Sequence, residues 1–156
     1  PKLKSWSHGR SLEFKNFNAQ TNNLSKDLPQ EIVIRDLNIY LPIYPAEIKN
    51  NSWESTTEGV SYLSSSPLPG NTGNSIIYGH NWESLLGRLT KIKPGQEIQI
   101  LYADKTAKTF VVEYTQVTTS DQTHILSQTK DKRLTIYTCT GFLDFKRFVA
   151  VALLKS

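Results

Sequence analysis

The chain closes on an unbroken apolar run, Phe148-Val149-Ala150-Val151-Ala152-Leu153-Leu154, headed by Arg147. A strand that is apolar on both faces must be covered on both, so this run belongs in the middle of a sheet. Upstream, Arg133 to Cys139 reads as a companion strand. Phe110, Val112 and Tyr114 alternate with Val111, Glu113 and Thr115, and Ile98 and Ile100 alternate with polar neighbours after a β-turn at Lys93-Pro94-Gly95-Gln96; both patterns are those of strands. Pro67, Pro69, Gly70, Gly73 and Asn74 form a dense turn cluster before the short run Ile76-Ile77-Tyr78, which gives loop, strand, loop. Ile32 to Ile43 suggests two short strands broken by a turn. Trp53 to Leu63 is sparse enough for one or two helical turns, and Leu85, Leu86 and Leu89 fall at helical spacing. Strands separated by turn signals, without regular helices between them, favour a mainly β fold, an antiparallel barrel or sandwich, over a parallel α/β sheet.

The chain has 156 residues, with 18 Lys and Arg against 14 Asp and Glu, for a net charge of +4. This suits one mildly basic domain. The basic residues are spread along the sequence without the blocks or aromatic-basic motifs of a nucleic-acid reader. No apolar run approaches the ~18 residues of a membrane helix. One cysteine allows no internal disulfide. With no methionine and Pro1 at its start, the sequence reads as a trimmed piece of a longer precursor. Residues 1–30, rich in Asn, Ser, Lys and Gln, read as a polar arm or tether, and residues 31–156 as the globular domain. The acidic residues are scattered singly, without the spacing of a calcium loop, and no metal or other cofactor is expected.

Cys139 is the first candidate for chemistry. Alternation along its strand puts Leu134, Ile136 and Thr138 on one face and Arg133, Thr135, Tyr137 and position 139 on the other. With the core on the Leu134 side, the cysteine falls on the more polar face, at a strand end, where Thr-Cys-Thr-Gly opens into a loop. The alternative is a buried, inert thiol. A working thiol needs a base or a cation beside it, since its ordinary pKa of ~8.5 leaves it protonated at neutral pH. Of the three histidines, His8 lies in the arm and His124 in the polar connection Thr118 to Lys132. His80 follows an apolar strand and Gly79, a place where strand ends present reactive groups. Arg147 begins the last strand eight positions after Cys139. If the two strands are neighbours, guanidinium and thiol meet across the loop.

Three runs together resemble the sortase family of bacterial cell-surface transpeptidases: SPLPGNTGNSIIYGH ending at His80, LTKIKPGQEIQI from Leu89 to Ile100, and LTIYTCTGFLDFKRFVAVALL from Leu134 to Leu154. The resemblance extends from about Ile32 to Leu154. Its most specific part is a Thr-Cys at a strand end, an Arg eight residues on, and a Gly-His 59 positions upstream. Some motifs have the flavour of class B, whereas the short connection before the cysteine strand is more like classes D, E or F, so the class stays open.

The resemblance implies an eight-stranded β-barrel with short helices in its connections. It also implies cleavage of a C-terminal sorting signal of the Leu-Pro-x-Thr-Gly type between Thr and Gly. In that scheme Cys139 is the nucleophile that forms a thioester, His80 the proton donor and acceptor, and Arg147 the group that hydrogen-bonds substrate or oxyanion. Thr138 matches the residue before the family's cysteine and sits among the substrate-binding positions, where packing or hydrogen bonding inside the barrel is its more natural part. Ile125 and Leu126 either line the pocket for the signal's Leu and Pro or form a turn packed on the barrel. The partners implied are a sorting-signal peptide and an amine acceptor, a peptidoglycan cross-bridge or a pilin lysine. The implied location is the outer face of the cell membrane, held by an anchor upstream of Pro1, with the amino-terminal arm as a stalk or folded over the groove. A mainly hydrolytic peptidase of the same fold and a non-enzymatic cell-surface binding module are the alternatives.

Overall fold

The computed structural model describes residues 28–119, 121, 123–140 and 146–156, the side chains at 139 and 140 excepted. The expected arm therefore falls largely outside the described residues, as do His8 and residues 141–145 of the loop between Cys139 and Arg147. The described residues form ten strands: β1 (Pro29–Ile34), β2 (Ile39–Ala46), β3 (Ile48–Lys49), β4 (Ser52–Trp53), β5 (Val60–Leu63), β6 (Gly73–Gly79), β7 (Glu97–Tyr102), β8 (Ala107–Thr119), β9 (Lys132–Thr140) and β10 (Lys146–Leu154). Eight of them close a barrel in the order β1-β2-β5-β6-β9-β10-β8-β7, and β3 pairs with β4 as a separate ribbon. Helix among the described residues is confined to 3-10 turns at Arg35–Leu37, Gly87–Lys91 and His124–Leu126. None is long and apolar enough to cross a membrane.

Local chemistry explains several boundaries. Asn38, in the left-handed region at φ 56°, ends the 3-10 turn between β1 and β2, a conformation that asparagine tolerates better than most residues. At Lys93–Gln96 the Gln96 N–H donates to the Lys93 carbonyl at 3.1 Å, with Gly95 at φ +92°. Proline and glycine at the two central positions are what such a turn requires. The alternating residues then fill the barrel: Ile98 and Ile100 of β7, Phe110 and Val112 of β8, Leu134 and Ile136 of β9, and Ala150 and Ala152 of β10 share one interior cluster.

Four expectations need correction. The sheet is mixed, because β2 pairs with β5 and β6 with β9 in parallel. The Trp53–Leu63 segment holds no helix: it ends β4 at Trp53 and supplies β5, which is fixed by partners distant in sequence and therefore leaves no local period. Leu85, Leu86 and Leu89 form turns rather than a regular helix, and all three are buried in the barrel interior. β10 does lie in mid-sheet between β8 and β9, but the second face of β9 is not polar. Thr135 and Tyr137 are fully buried there.

A second apolar cluster covers this outer face. Ile76 and Tyr78 of β6, Tyr137 of β9, and Val149 and Val151 of β10 meet Trp53 of the ribbon and Ile125 of the last 3-10 turn. Trp53 stands edge-on to Tyr78 and Tyr137, at centroid distances of 5.2 and 5.9 Å, and the two tyrosines stack at 5.6 Å. Such arrangements suit aromatic quadrupoles. The ribbon is tied by Glu54, whose carboxylate accepts the Glu47 N–H at 2.8 Å and lies 3.5 Å from Lys49 Nζ. The Ile125 turn is tied by Asn74, whose side-chain amide donates to the carbonyls of Ile125 and Ser127 at 2.9 and 3.1 Å and accepts from the Thr135 hydroxyl at 2.6 Å.

Candidate active site

Strand pairing brings three distant residues into one row. β10 pairs antiparallel with β9, and Arg147 lies opposite Cys139. β6 pairs in parallel with β9, with Tyr78 opposite Tyr137 and Gly79 opposite Thr138. His80, the next residue, therefore falls beside position 139. Neighbouring strands lie ~4.8 Å apart, so the three backbones occupy adjacent places at one rim of the barrel.

The faces agree as well. His80 continues the outer series Ile76, Tyr78; position 139 continues Thr135, Tyr137; Arg147 begins the series leading to Val149 and Val151. Strand alternation thus assigns His80 and Arg147 to the face opposite the barrel interior, in register with position 139. His80 is 4% exposed and Arg147 2% exposed. A guanidinium is costly to bury unless hydrogen-bonded, and Arg147 Nη1 donates to the Lys146 carbonyl at 3.2 Å. The Cys139 side chain lies outside the described residues.

Thr138 sits on the interior face with Leu134 and Ile136. It is fully buried, and its hydroxyl donates to the Gly79 carbonyl at 2.6 Å. That bond fastens the end of β6 to β9 directly before His80 and Cys139, a place in the mount of the row rather than on its surface. Below the row, the Tyr78 phenol donates to the Glu54 carbonyl. Burial pushes its pKa far above the ordinary value, so it is a neutral donor at any physiological pH.

Residues 32–155 match the sequence model of the sortase domain. The chain belongs to the sortase family. Its fold is similar to that of sortase A from Corynebacterium diphtheriae, with a TM-score of 0.77 at 22% identity over 100% of this chain and 76% of that one. It is similar also to sortase C-1 from Actinomyces oris, with a TM-score of 0.73 at 21% identity over 90% and 80% of the two chains. For sortase A from Listeria monocytogenes the TM-score is 0.66, at 24% identity over 83% and 88%. No curated protein matches the sequence. Sortases are in general cysteine transpeptidases that act at the cell-envelope surface.

Ile125 and Leu126 stand apart from the row in this sortase. The carbonyl of Ile125 is bonded to Asn74, near the start of β6, and six residues at ~3.3 Å each separate Asn74 from His80. The turn thus lies about 20 Å along the strand from the row. Ile125 is buried against the outer cluster, whereas Leu126 packs on it and keeps partial exposure. His124 is exposed on the same turn. A further aromatic residue, Trp82, stacks on His80. The sequence reading missed this residue; an aromatic two positions after a Gly-His, in an otherwise polar stretch, is the signal that could have found it.

Proposed function

We propose that this sortase cleaves a C-terminal sorting signal of the Leu-Pro-x-Thr-Gly type through a thioester on Cys139 and passes the acyl group to an amine. The observation that carries this reading is the row itself: Arg147 opposite Cys139 in β10, and His80 one step beyond the Gly79–Thr138 pair.

In the first half-reaction the Cys139 thiolate adds to the threonyl carbonyl. The tetrahedral adduct collapses with cleavage of the Thr–Gly bond, and the imidazolium of His80 gives its proton to the departing amine. In the second, the acceptor amine adds to the thioester, neutral His80 takes a proton from it, and the Cys139 thiolate leaves. Arg147 hydrogen-bonds the carbonyl oxygen as negative charge develops, a task for which a rigid fork of donors held in a water-poor place is suited. Water in place of the amine gives hydrolysis.

Thr138 acts as a positioning residue. The signal's Leu stands three residues, ~10 Å, from the scissile carbonyl, so it binds nearer the row than the Ile125–Leu126 turn, which packs on the outer face of the barrel. The acceptor is a peptidoglycan cross-bridge amine or a pilin lysine, the catalytic domain comprises residues 31–156 and the start of its first strand at Pro29, and the residues before that strand tether it to an anchor at the outer face of the membrane.

Mass spectrometry of the protein with a small library of sorting-signal peptides, with and without glycine oligomers or a lysine side chain, tests the reading. A covalent acyl adduct at Cys139 and a product joined to the amine are expected, and both should vanish in Cys139→Ala. Peptide cleavage that survives this substitution, or no adduct with any signal, overturns it.

A further inference from the structure

Trp82 lies flat against His80, with ring centroids 4.7 Å apart and planes inclined by 16°. The indole is 47% exposed and the imidazole 4%, so the indole stands between one imidazole face and solvent. A histidine ring is weakly fixed by its own torsions, because the bond from Cβ to the ring has a broad, roughly two-fold profile. A flat neighbour restrains that rotation.

The segment that carries this indole is closely braced. The Trp82 carbonyl accepts the N–H groups of Leu85 and Gly87, each at 2.8 Å, and the His80 carbonyl accepts the Leu86 N–H at 3.0 Å. A Cβ at Gly87 would come within 2.8 Å of both the Asn81 and the Trp82 carbonyl oxygens, so a bare glycine is what lets the loop close. Leu85 and Leu86 anchor it in the barrel interior. The half-exposed indole is not part of that cluster.

We infer that Trp82 is a positioning residue for the transfer reaction, holding the His80 imidazole plane toward the row and screening one face of it from water. This rests on His80 being the proton carrier proposed above. Water that reaches the imidazole competes for its proton, and a ring free to turn spends less time aligned with the departing or arriving amine.

The test compares the wild-type chain with Trp82→Ala and Trp82→Phe by peptide-release kinetics, by NMR of the histidine ring protons, and by urea unfolding. The His80 signals are assigned by their loss in His80→Asn. Trp82→Ala is expected to lower kcat about three- to tenfold, the range of an aromatic pair's worth, with KM little changed, and Trp82→Phe to restore most of it. The ring current should hold the His80 signals upfield of those of His8 and His124 in the wild type and in Trp82→Phe, and release them in Trp82→Ala. An unchanged kcat, a rise in KM alone, unmoved His80 signals, or a collapse of the urea midpoint that accounts for the lost rate would each overturn the inference. Should the wild-type chain release no peptide, the transpeptidase reading falls, and the NMR comparison still decides whether the indole holds the imidazole.

Discussion

Replacing Thr138 by Val keeps a branched side chain of similar shape and deletes one hydroxyl. In the native fold that hydroxyl donates to the Gly79 carbonyl at 2.6 Å between two fully enclosed residues. Leaving a buried acceptor without this donor costs about 1–3 kcal/mol, which for a domain of this size lowers Tm by roughly 2–4 °C per kcal/mol. The activity consequence follows from place. Gly79 immediately precedes His80, so a carbonyl that shifts to find another donor carries the imidazole with it, and small misplacements of a reacting group cost up to ~10²-fold. Urea unfolding and peptide-release kinetics of Thr138→Val, with Thr138→Ser as the variant that keeps the hydroxyl, read both effects. The expected result is a lower midpoint, a kcat reduced several-fold and an unchanged KM, all largely restored by Ser. A Thr138→Val chain as stable and as fast as the wild type refutes the argument. A raised KM at constant kcat would instead put the hydroxyl in contact with substrate.

Arg147→Lys keeps the positive charge and loses the planar fork, so kcat/KM for a sorting peptide should fall about 10²-fold, the cost of a missing oxyanion donor, while circular dichroism stays native; full activity in this variant would remove Arg147 from the mechanism. The Asp131 carboxyl is held below the usual range, chiefly by the side-chain hydrogen bond from Arg133 and next by that from Thr129. A carboxyl lowered in the folded state stabilises the fold above its unfolded pKa of ~3.9, and that stability is lost as pH falls through the folded value. Asp131→Asn should therefore lower the urea midpoint at neutral pH and converge with the wild type in acid, and a constant difference across the pH range would contradict this.

What could be read from residues alone divides by sequence distance. The Lys93–Gln96 turn and the strands around Ile98, Phe110 and Leu134 are legible because alternation and turn chemistry are local. β5 was not, because Val60–Leu63 is a strand only by virtue of partners in β2 and β6. The outer face of β9 reads as half polar from Thr135 and Tyr137, since nothing near them announces that Trp53 and Ile125 come from afar to cover it. The site divides in the same way. A short loop lets the neighbourhood of Cys139 and Arg147 be argued from spacing, whereas the parallel partnership of β6 with β9 joins residues 59 positions apart, and only family resemblance drew His80 in.

A ladder that displays its chemistry on alternate positions makes folding fidelity and competence the same quantity. Were β9 to settle one notch out of step with β6 and β10, position 139 would trade places with Thr138 and turn toward the lumen, and Tyr137 would be driven in among the aliphatic layers. Such a molecule would be inert rather than merely slow. Substitutions that let this seam slip out of register should therefore reduce the fraction of chains that can be acylated, over and above any slowing of the chains that assemble correctly.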